Sequence, residues 1–402
     1  MTDITFVPDG TSASPRGFRA GATFAGIKTY GDGKLDLAIL LSDADCNIAA
    51  TFTRNRLRSA AIDVNDERLQ AGNWTGRGVV VNAGCANSST GQRGLEDGRR
   101  MCELAEQASG APAGSFFVGS TGVIGHFLPM DKIAAGVTKV TATADGGMDF
   151  ARAIMTTDLR PKFGAVRFGP YTLGGSCKGS GMIHPNMATM LCYLTTDAPV
   201  EAGFLRATLS ATVDRTFNLL SVDGDTSPSG TVMLFANGAA GGDTITAGTE
   251  MALAFADALE MLCTHLAKEI ARDGEGATKL MEVTVTGAAT DAEARQLVRE
   301  MTTSYLLKSA VHGADPNWGR IVAVIGRSTV RIDEPAVTVA LCGTRVFEHS
   351  RPTEHDPEAV AAAMRGDTVT IACDLGTGTG TATGWGCDLS AEYVSINADY
   401  HT

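Results

Sequence analysis

Residues 178–191 read K-G-S-G-M-I-H-P-N-M-A-T-M-L, and the rest of the chain is best interpreted outward from this stretch. It follows an apparent strand at 164–173 and leads into a second strand-like run at 189–196. Its glycines allow a sharp turn and a close backbone approach. A threonine that becomes a chain N-terminus can use its own α-amine as general base and needs no histidine. The Ala188–Thr189 pair therefore suggests a threonine nucleophile, and the alternative is a glycine-rich turn between two core strands.

Length and composition are those of an ordinary globular protein. The chain has 402 residues, of which 44% are hydrophobic and 19% charged, enough for two or three domains or two large lobes. A net charge of −12 without a Lys/Arg run argues against nucleic-acid or anionic-membrane partners. We find no membrane-spanning apolar run and no signal peptide. Nine cysteines without C-x-x-C spacing predict reduced thiols in the cytoplasm rather than disulfides or a zinc site.

Strand-like and helix-like patterns both occur along the chain. The glycine repeat at 376–384 lacks the Gly-Lys-Ser/Thr end of a phosphate loop, so we predict a flexible hairpin turn there. No internal repeat or low-complexity linker is present. The pattern predicts strands at 35–42, 47–53, 78–84, 281–287, 337–341, 368–373 and 393–397, and helices at 95–108, 146–158, 202–215, 249–271 and 290–301.

Three further turns carry polar side chains that could act in a site. The Ser120-Thr121-Gly122 turn could form an oxyanion hole from a hydroxyl and a glycine backbone N–H, although Ser-Thr-Gly turns are usually only turns. Asp223 and Asp225 could be paired carboxylates or calcium ligands, but the later Glu of an EF-hand is missing. We therefore favour acidic turn residues that bond their own backbone. Glu275 lies between two glycines and can project from a tight turn, or be a solvated loop residue.

Several strings resemble the ornithine acetyltransferase family of arginine biosynthesis, and they occur in the family's order along essentially the whole chain. The longest is the opening stretch. The others are S-T-G-V-I-G at 120–125, A-I-M-T-T-D at 153–158, G-E-G-A-T-K at 274–279, K-S-A-V-H-G-A-D-P-N-W-G-R at 308–320, W-G-C-D-L-S at 385–390 and Y-V-S-I-N-A-D-Y-H-T at 393–402.

The resemblance implies an α/β fold with two lobes of packed sheets and helices and an N-terminal-nucleophile-type site. Family members are made as one precursor that cuts itself between the Ala and Thr of M-A-T-M-L, here Ala188 and Thr189. The products would be an α chain, 1–188, and a β chain, 189–402, which associate with each other and then as a dimer of α–β pairs.

The same resemblance implies ping-pong acyl transfer without a cofactor or metal. Thr189 would take the acyl group from an N-acyl amino acid such as N-acetylornithine and pass it to an amino acid such as glutamate. Thr121 and Gly122 would stabilise the oxyanion. The substrate-binding residues would be Thr156, Lys178, Thr189, Glu275, Asn397 and Thr402.

Strings beside the motifs depart from the family's usual pattern. The chain has N-A-G-C-A-N-S at 82–88 where N-S-G-N-A-N-A is usual, and D-T-S-P-S-G at 225–230 where D-T-S-T-N-D is usual. Such drift is typical of a paralogue with another acyl donor or acceptor. Two other classes stay open: an N-terminal-nucleophile amidohydrolase or aminopeptidase, and a non-catalytic binding protein. Hydrolysis in place of transfer would indicate the first, and an intact Ala188–Thr189 bond the second.

Overall fold

A computed structural model describes residues 2–28, 33–184 and 190–399, and their strands form two sheets. The strands are β1 Ile4–Val7, β2 Phe18–Thr23, β3 Leu37–Phe52, β4 Thr75–Cys85, β5 Phe116–Val123, β6 Lys162–Phe168, β7 Tyr171–Lys178, β8 Leu191–Thr196, β9 Leu220–Ser221, β10 Thr231–Ala236, β11 Leu280–Ala288, β12 Thr338–Leu341, β13 Thr344–Glu348, β14 Arg351–Pro352, β15 Thr368–Asp374 and β16 Gly380–Cys387.

The first sheet has the order β1-β6-β7-β8-β10-β3-β4-β5, with β2 also paired to β3, and the second has the order β14-β13-β12-β15-β11-β16-β9. The α-helices of the described residues are α1 Ala60–Ala71, α2 Gly91–Ser109, α3 Met130–Val137, α4 Gly147–Ala153, α5 Ala202–Arg215, α6 Glu250–Arg272, α7 Asp291–Thr302, α8 Tyr305–His312, α9 Trp318–Arg327, α10 Pro357–Met364 and α11 Ala391–Asp399. This arrangement confirms the α/β class and the packed sheets and helices.

Helix α6 lies between the two sheets and joins their cores. Its apolar residues recur at helical spacing, so Leu259, Leu262 and Leu266 share a face that is fully buried. They pack in one cluster with Leu194 of the first sheet and Leu280 of the second. The helix ends at Arg272, and the turn that follows it reaches the pocket described below.

Helix α7 begins as the sequence predicts. The Thr290 hydroxyl accepts a hydrogen bond from the Glu293 backbone N–H at 3.2 Å, which caps the first turn. Helix α5 covers the predicted residues, and α6 differs from its prediction by one residue at each end. Long helices with a clear apolar period and a capping residue are the elements that sequence predicts most directly.

Several predicted elements were wrong. Of the helix predicted at 146–158, only Gly147–Ala153 is helical. Residues 35–42 and 47–53 belong to one strand, β3, which has an irregular register beside β4 between Leu41 and Cys46. Residues 393–397 lie in helix α11 rather than in a strand, because a short apolar run fits either period and no sheet edge receives it. The second half of the glycine repeat forms β16, which pairs with β11.

The first sheet contains strands from both sides of residue 188. Lys178 at the end of β7 pairs with Leu191 at the start of β8. Strand β10 then lies between β8 and β3 and pairs with both. The segments 1–188 and 189–402 are therefore interleaved in one sheet, and separating them would break its central hydrogen bonds.

Candidate active site

A pocket opens where the ends of β5 and β7, the turn after α6 and helix α11 meet. It encloses an empty volume of about 760 Å³ that is open to solvent. Its described lining residues are Thr121, Gly122, Thr156, Thr157, Lys178, Gly181, Met182, Met190, Leu191, Asp223, Asp225, Ser227, Ser229, Glu275, Tyr393 and Asn397. Ala188, Thr189 and Thr402, which the sequence also predicts in the site, lie outside the described residues.

The other predicted site residues come together in this pocket although they lie far apart in the chain. They are Thr121, Gly122, Thr156, Lys178, Glu275 and Asn397. The sequence also marked Asp223 and Asp225, but it favoured a role confined to their own turn, and both line the pocket. Sequence reasoning missed Thr157, which stands inside the quoted A-I-M-T-T-D string, and Tyr393, which was placed in a strand.

Thr121 and Gly122 lie near the end of β5, beside the parallel strand β4. Gly122 has φ of +125°, and a Cβ there would stand 2.4 Å from the carbonyl carbon of Gly84. A residue with a side chain would therefore be both strained and in contact with the neighbouring backbone. Thr121 is buried, with 8% of the residue exposed, and it borders the pocket. A hydroxyl and a backbone N–H at adjacent residues are groups that can stabilise an oxyanion.

Lys178 is the last residue of β7 and supplies the pocket's cationic side chain. It is buried, and burial lowers its pKa, although the nearby Asp158 carboxylate acts in the opposite direction. An ammonium held away from water binds a carboxylate more strongly than an exposed lysine does. Lys178 is therefore suited to hold the carboxylate of a substrate.

A buried ion network lies behind Lys178. The Lys162 ammonium is 2.6 Å from Asp158 Oδ1 and 2.6 Å from Asp273 Oδ2. Asp158 Oδ1 also accepts the Gly179 N–H, and Oδ2 accepts the Thr156 N–H. Burial alone would raise the pKa of Asp158, but Lys162 and Lys178 hold it well below its usual range. The buried Asp158 carboxylate thus holds two segments of the pocket wall, at Thr156 and at Gly179, by hydrogen bonds.

Glu275 and Asn397 line the pocket and contact each other directly. The Asn397 side-chain amide donates to Glu275 Oε2 at 2.8 Å, and this bond connects α11 to the turn after α6. The Glu275 backbone N–H donates to the Ser180 carbonyl at 2.9 Å. A Cβ on Gly181 would stand 2.4 Å from all three atoms of the carboxylate, so only glycine leaves Glu275 this position.

The lining residues combine one buried ammonium with the carboxylates Asp223, Asp225 and Glu275. Burial raises the pKa of Asp223, although its carboxylate accepts three backbone N–H groups, which act in the opposite direction. The pKa of the Tyr393 hydroxyl is also raised, mainly by burial and further by the nearby carboxylates. Within the described residues no cluster of His, Cys, Asp and Glu could hold a metal ion. No described helix is long and apolar enough to cross a bilayer.

The fold and the pocket define a two-sheet α/β enzyme whose site suits acyl chemistry on a small charged substrate. The family model described as the ArgJ family matches residues 19–402. The chain belongs to the ArgJ family, which confirms the resemblance seen in its motifs. It is accordingly an enzyme of the N-acyltransferase class.

Relatives named arginine biosynthesis bifunctional protein ArgJ match over almost their full length. The chain is 44% identical to that of Dehalococcoides mccartyi over 405 residues, with 100% of both chains covered. It is 47% identical to that of Thermus thermophilus over 389 residues, with 96% of this chain and 99% of the relative covered.

Two solved structures also match. The crystal structure of arginine biosynthesis bifunctional protein ArgJ from Bacillus halodurans is 43% identical, with a TM-score of 0.50, and the match covers 51% of this chain and 97% of that chain. An ornithine acetyltransferase from Mycobacterium tuberculosis, solved with ornithine, is 35% identical, with a TM-score of 0.43 and coverage of 46% and 100%.

Proposed function

We propose that the chain cuts itself between Ala188 and Thr189 and that Thr189 then moves an acetyl group from N-acetylornithine to glutamate. The observation that carries this proposal is the position of the residues on both sides of that bond. Met182 and Met190 flank the segment that contains it, and both line the pocket that holds Thr121, Lys178 and Glu275. A nucleophile at 189 would therefore border the groups that its chemistry requires.

Self-cleavage begins when the Thr189 hydroxyl oxygen adds to the Ala188 carbonyl carbon. The carbon–nitrogen bond breaks, the hydroxyl proton ends on the freed amine, and an ester joins the two residues. Water hydrolyses this ester and leaves a carboxylate on Ala188 and a free hydroxyl and amine on Thr189. The products are chains of 188 and 214 residues, which become the two proposed units of the protein.

The length of a solved relative supports such a cut. The Bacillus halodurans chain is covered over 97% of its length, yet it corresponds to 51% of this chain, or about 205 of 402 residues. That length lies between the 188 and 214 residues of the two proposed products and is about half that of the uncut chain. The interleaved first sheet would hold the two products together after cleavage, because β8 and β10 stay paired with β7 and β3.

Transfer then proceeds in two half-reactions. The Thr189 hydroxyl gives its proton to the Thr189 α-amine and attacks the acetyl carbonyl of the donor. Thr121 and the Gly122 N–H stabilise the oxyanion, a contribution of about 3 kcal/mol for each donor. The carbon–nitrogen bond breaks, the proton passes to the leaving amine, and acetyl-Thr189 remains. The glutamate α-amine then attacks the acetyl carbon of that ester, the ester carbon–oxygen bond breaks, and N-acetylglutamate leaves. The proton that the amine loses returns to the Thr189 oxygen.

Substrate recognition follows the charges of the pocket. Lys178 holds the α-carboxylate of the amino acid, and Glu275 with Asn397 faces its polar or cationic side chain. Thr156 and the C-terminal Thr402 complete the proposed binding residues. N-acetylornithine carries one carboxylate and one side-chain ammonium, which matches this arrangement better than a neutral lipid or a nucleotide does.

The assembly and the location are part of the same proposal. The cleaved chains form α–β pairs that associate as dimers. The nine cysteines are free thiols and eight of them are buried, which supports a cytoplasmic location.

Mass spectrometry of the purified protein, followed by an assay with N-acetylornithine and glutamate, tests the proposal. We expect masses for residues 1–188 and 189–402, parallel initial-rate plots and an acetyl adduct on the Thr189 peptide. Thr189→Ala should remain one inactive chain. If that variant still splits, Thr189 is not the cleaving group, and intersecting plots without an adduct would falsify the ping-pong route. Release of acetate in place of transfer would indicate a hydrolase.

A further inference from the structure

Residues 182–184 are bound along their length by the turn at 221–226. The Asp223 carboxylate accepts the backbone N–H groups of Met182 at 2.6 Å and Ile183 at 2.9 Å. The Val222 N–H donates to the Ile183 carbonyl at 2.7 Å, and the Thr226 hydroxyl donates to the His184 carbonyl at 2.8 Å. Three consecutive residues are thus fixed through four of their backbone groups.

One of these residues has a backbone conformation that needs such support. Met182 has φ of +54°, in the left-handed region that residues with side chains seldom adopt. Conformations of this kind persist where the surroundings hold them. The bond from the Met182 N–H to a buried carboxylate supplies that constraint, because hydrogen bonds to an ionised acceptor are stronger than neutral ones.

The side chain of His184 adds a second attachment. Its Nε2 lies 2.6 Å from Arg299 Nη2, and its Nδ1 lies 3.1 Å from the Ser221 hydroxyl. A guanidinium only donates, so Nε2 must accept from Arg299, and Nδ1 then carries the proton toward Ser221. Burial and the Arg299 charge lower the pKa of His184 to about 4, which agrees with a neutral ring at this place.

The other flank of the segment 185–189 is also fixed. The Thr231 N–H donates to the Met190 carbonyl at 2.7 Å, and Leu191 begins β8 in the centre of the first sheet. The chain therefore enters and leaves this short segment from two fixed points. Fixed ends reduce the conformations open to the residues between them, and an intramolecular attack is faster when its reacting atoms are held close together.

We propose that the turn at 221–226 positions the precursor for self-cleavage, with Asp223 as its principal positioning residue. This inference rests on the proposed cleavage at Ala188–Thr189. It adds that the hydrogen bonds from the turn to residues 182–184 accelerate that cleavage. Residues 182–184, upstream of the segment, are attached through Val222, Asp223, Thr226 and the His184 side chain, whereas the downstream end is part of a sheet. Weakening the turn therefore releases residues 182–184, which precede the bond that is cut.

Processing can be timed by cell-free synthesis of the full chain, with gel analysis of precursor and products. Asp223→Asn keeps the shape of the side chain but replaces one acceptor oxygen with an amide that cannot accept. We expect precursor conversion to slow about ten-fold or more. Asp197→Asn is the matched control, because Asp197 is also a buried carboxylate that accepts two backbone N–H groups, those of Arg16 and Thr172. Its conversion should stay within about two-fold of wild type.

Two further substitutions test the turn without changing a buried charge. Thr226→Val keeps the volume and removes the donor to the His184 carbonyl, and it should slow conversion by about three-fold or more. His184→Gln can still accept from Arg299 and donate to Ser221, so it should process faster than His184→Ala. Wild-type conversion by Asp223→Asn, or equal slowing by Asp197→Asn, would overturn the inference.

If Asp223→Asn does not fold, the conversion rate of Thr226→Val becomes the test. Conversion of that variant at the wild-type rate would refute the positioning role. The outcomes for the underlying cleavage are separate. A wild-type chain that never splits, or a Thr189→Ala chain that does, would refute the proposed self-cleavage itself.

Discussion

Replacing Gly181 with alanine is expected to move the Glu275 carboxylate and thereby to lower transfer activity. The new Cβ would stand 2.4 Å from the carboxylate carbon and from both oxygens. Gly181 is not among the glycines with positive φ, so alanine can adopt its backbone conformation. The flanking backbone cannot easily yield, because the Met182 N–H is bonded to Asp223 and the Ser180 carbonyl to the Glu275 N–H.

The size of the effect follows from this geometry. Carbon atoms pack at about 3.5 Å, so the carboxylate must move by about 1 Å. That shift disrupts the 2.8 Å bond from Asn397 to Glu275, and a hydrogen bond to a charged group contributes about 1.5–3 kcal/mol. A misplacement of about 1 Å in a site can cost about 10²-fold in rate. We therefore expect kcat/KM for N-acetylornithine to fall about 10²-fold.

The assay measures acetyl transfer per nucleophile, counted by acyl-enzyme titration, so that incomplete processing does not enter the result. Gly326→Ala serves as the control, because a Cβ at Gly326 in α9 meets nothing within 4 Å. It should keep full activity and gain about 0.5–1 kcal/mol of stability, as helical glycines do when replaced with alanine.

A double substitution tests whether the effect acts through Glu275. Glu275→Ala removes the group that the new methyl would strike. If displacement of the carboxylate is the cause, adding Gly181→Ala to Glu275→Ala should cost little further activity. Full activity of Gly181→Ala alone, or additive losses in the double variant, would refute the reasoning.

Three further predictions concern the pocket and the ions behind it. Thr121→Ala should lower kcat by about 10²–10³ with little change in KM, since an oxyanion donor acts mainly in the transition state; a loss confined to KM in steady-state kinetics would make it a binding residue. Lys178→Met and Glu275→Gln should fold but lose roughly 2–5 kcal/mol of transition-state binding; equal turnover of N-acyl amines without a carboxylate would contradict the role of Lys178. Lys162→Met should lower the free energy of unfolding in urea by about 3–5 kcal/mol, because it leaves buried carboxylates uncompensated. The pKa of Asp158 is depressed in the folded state, so its contribution is present above its unfolded pKa of about 4 and is lost as pH falls further. The difference in unfolding free energy between wild type and variant should therefore be largest above about pH 4 and narrow below it.

The sequence by itself determined which chemical groups each segment carries and where several helices begin and end. The family resemblance carried by the motif strings implied that Thr121, Gly122, Thr156, Lys178, Glu275 and Asn397 share one site, and all six line the pocket. Helix α5 and the cap of α7 were also predictable, because an apolar period and a capping threonine act within one element. Such signals need no knowledge of distant neighbours.

The pairing of distant segments was decided only by the tertiary structure. Residues 393–397 have an apolar run that fits a strand, yet they form the helix that brings Asn397 to Glu275. Asp223 was predicted to bond its own turn, and it does so at the Asp225 N–H, but it also binds Met182 and Ile183. Two other features also depend on residues far apart in the chain. Gly181 lies close to the Glu275 carboxylate, and strands β8 and β10 insert among earlier strands of the first sheet. Residue type and spacing specify which groups a segment carries, whereas packing and sheet pairing determine which other segment those groups meet.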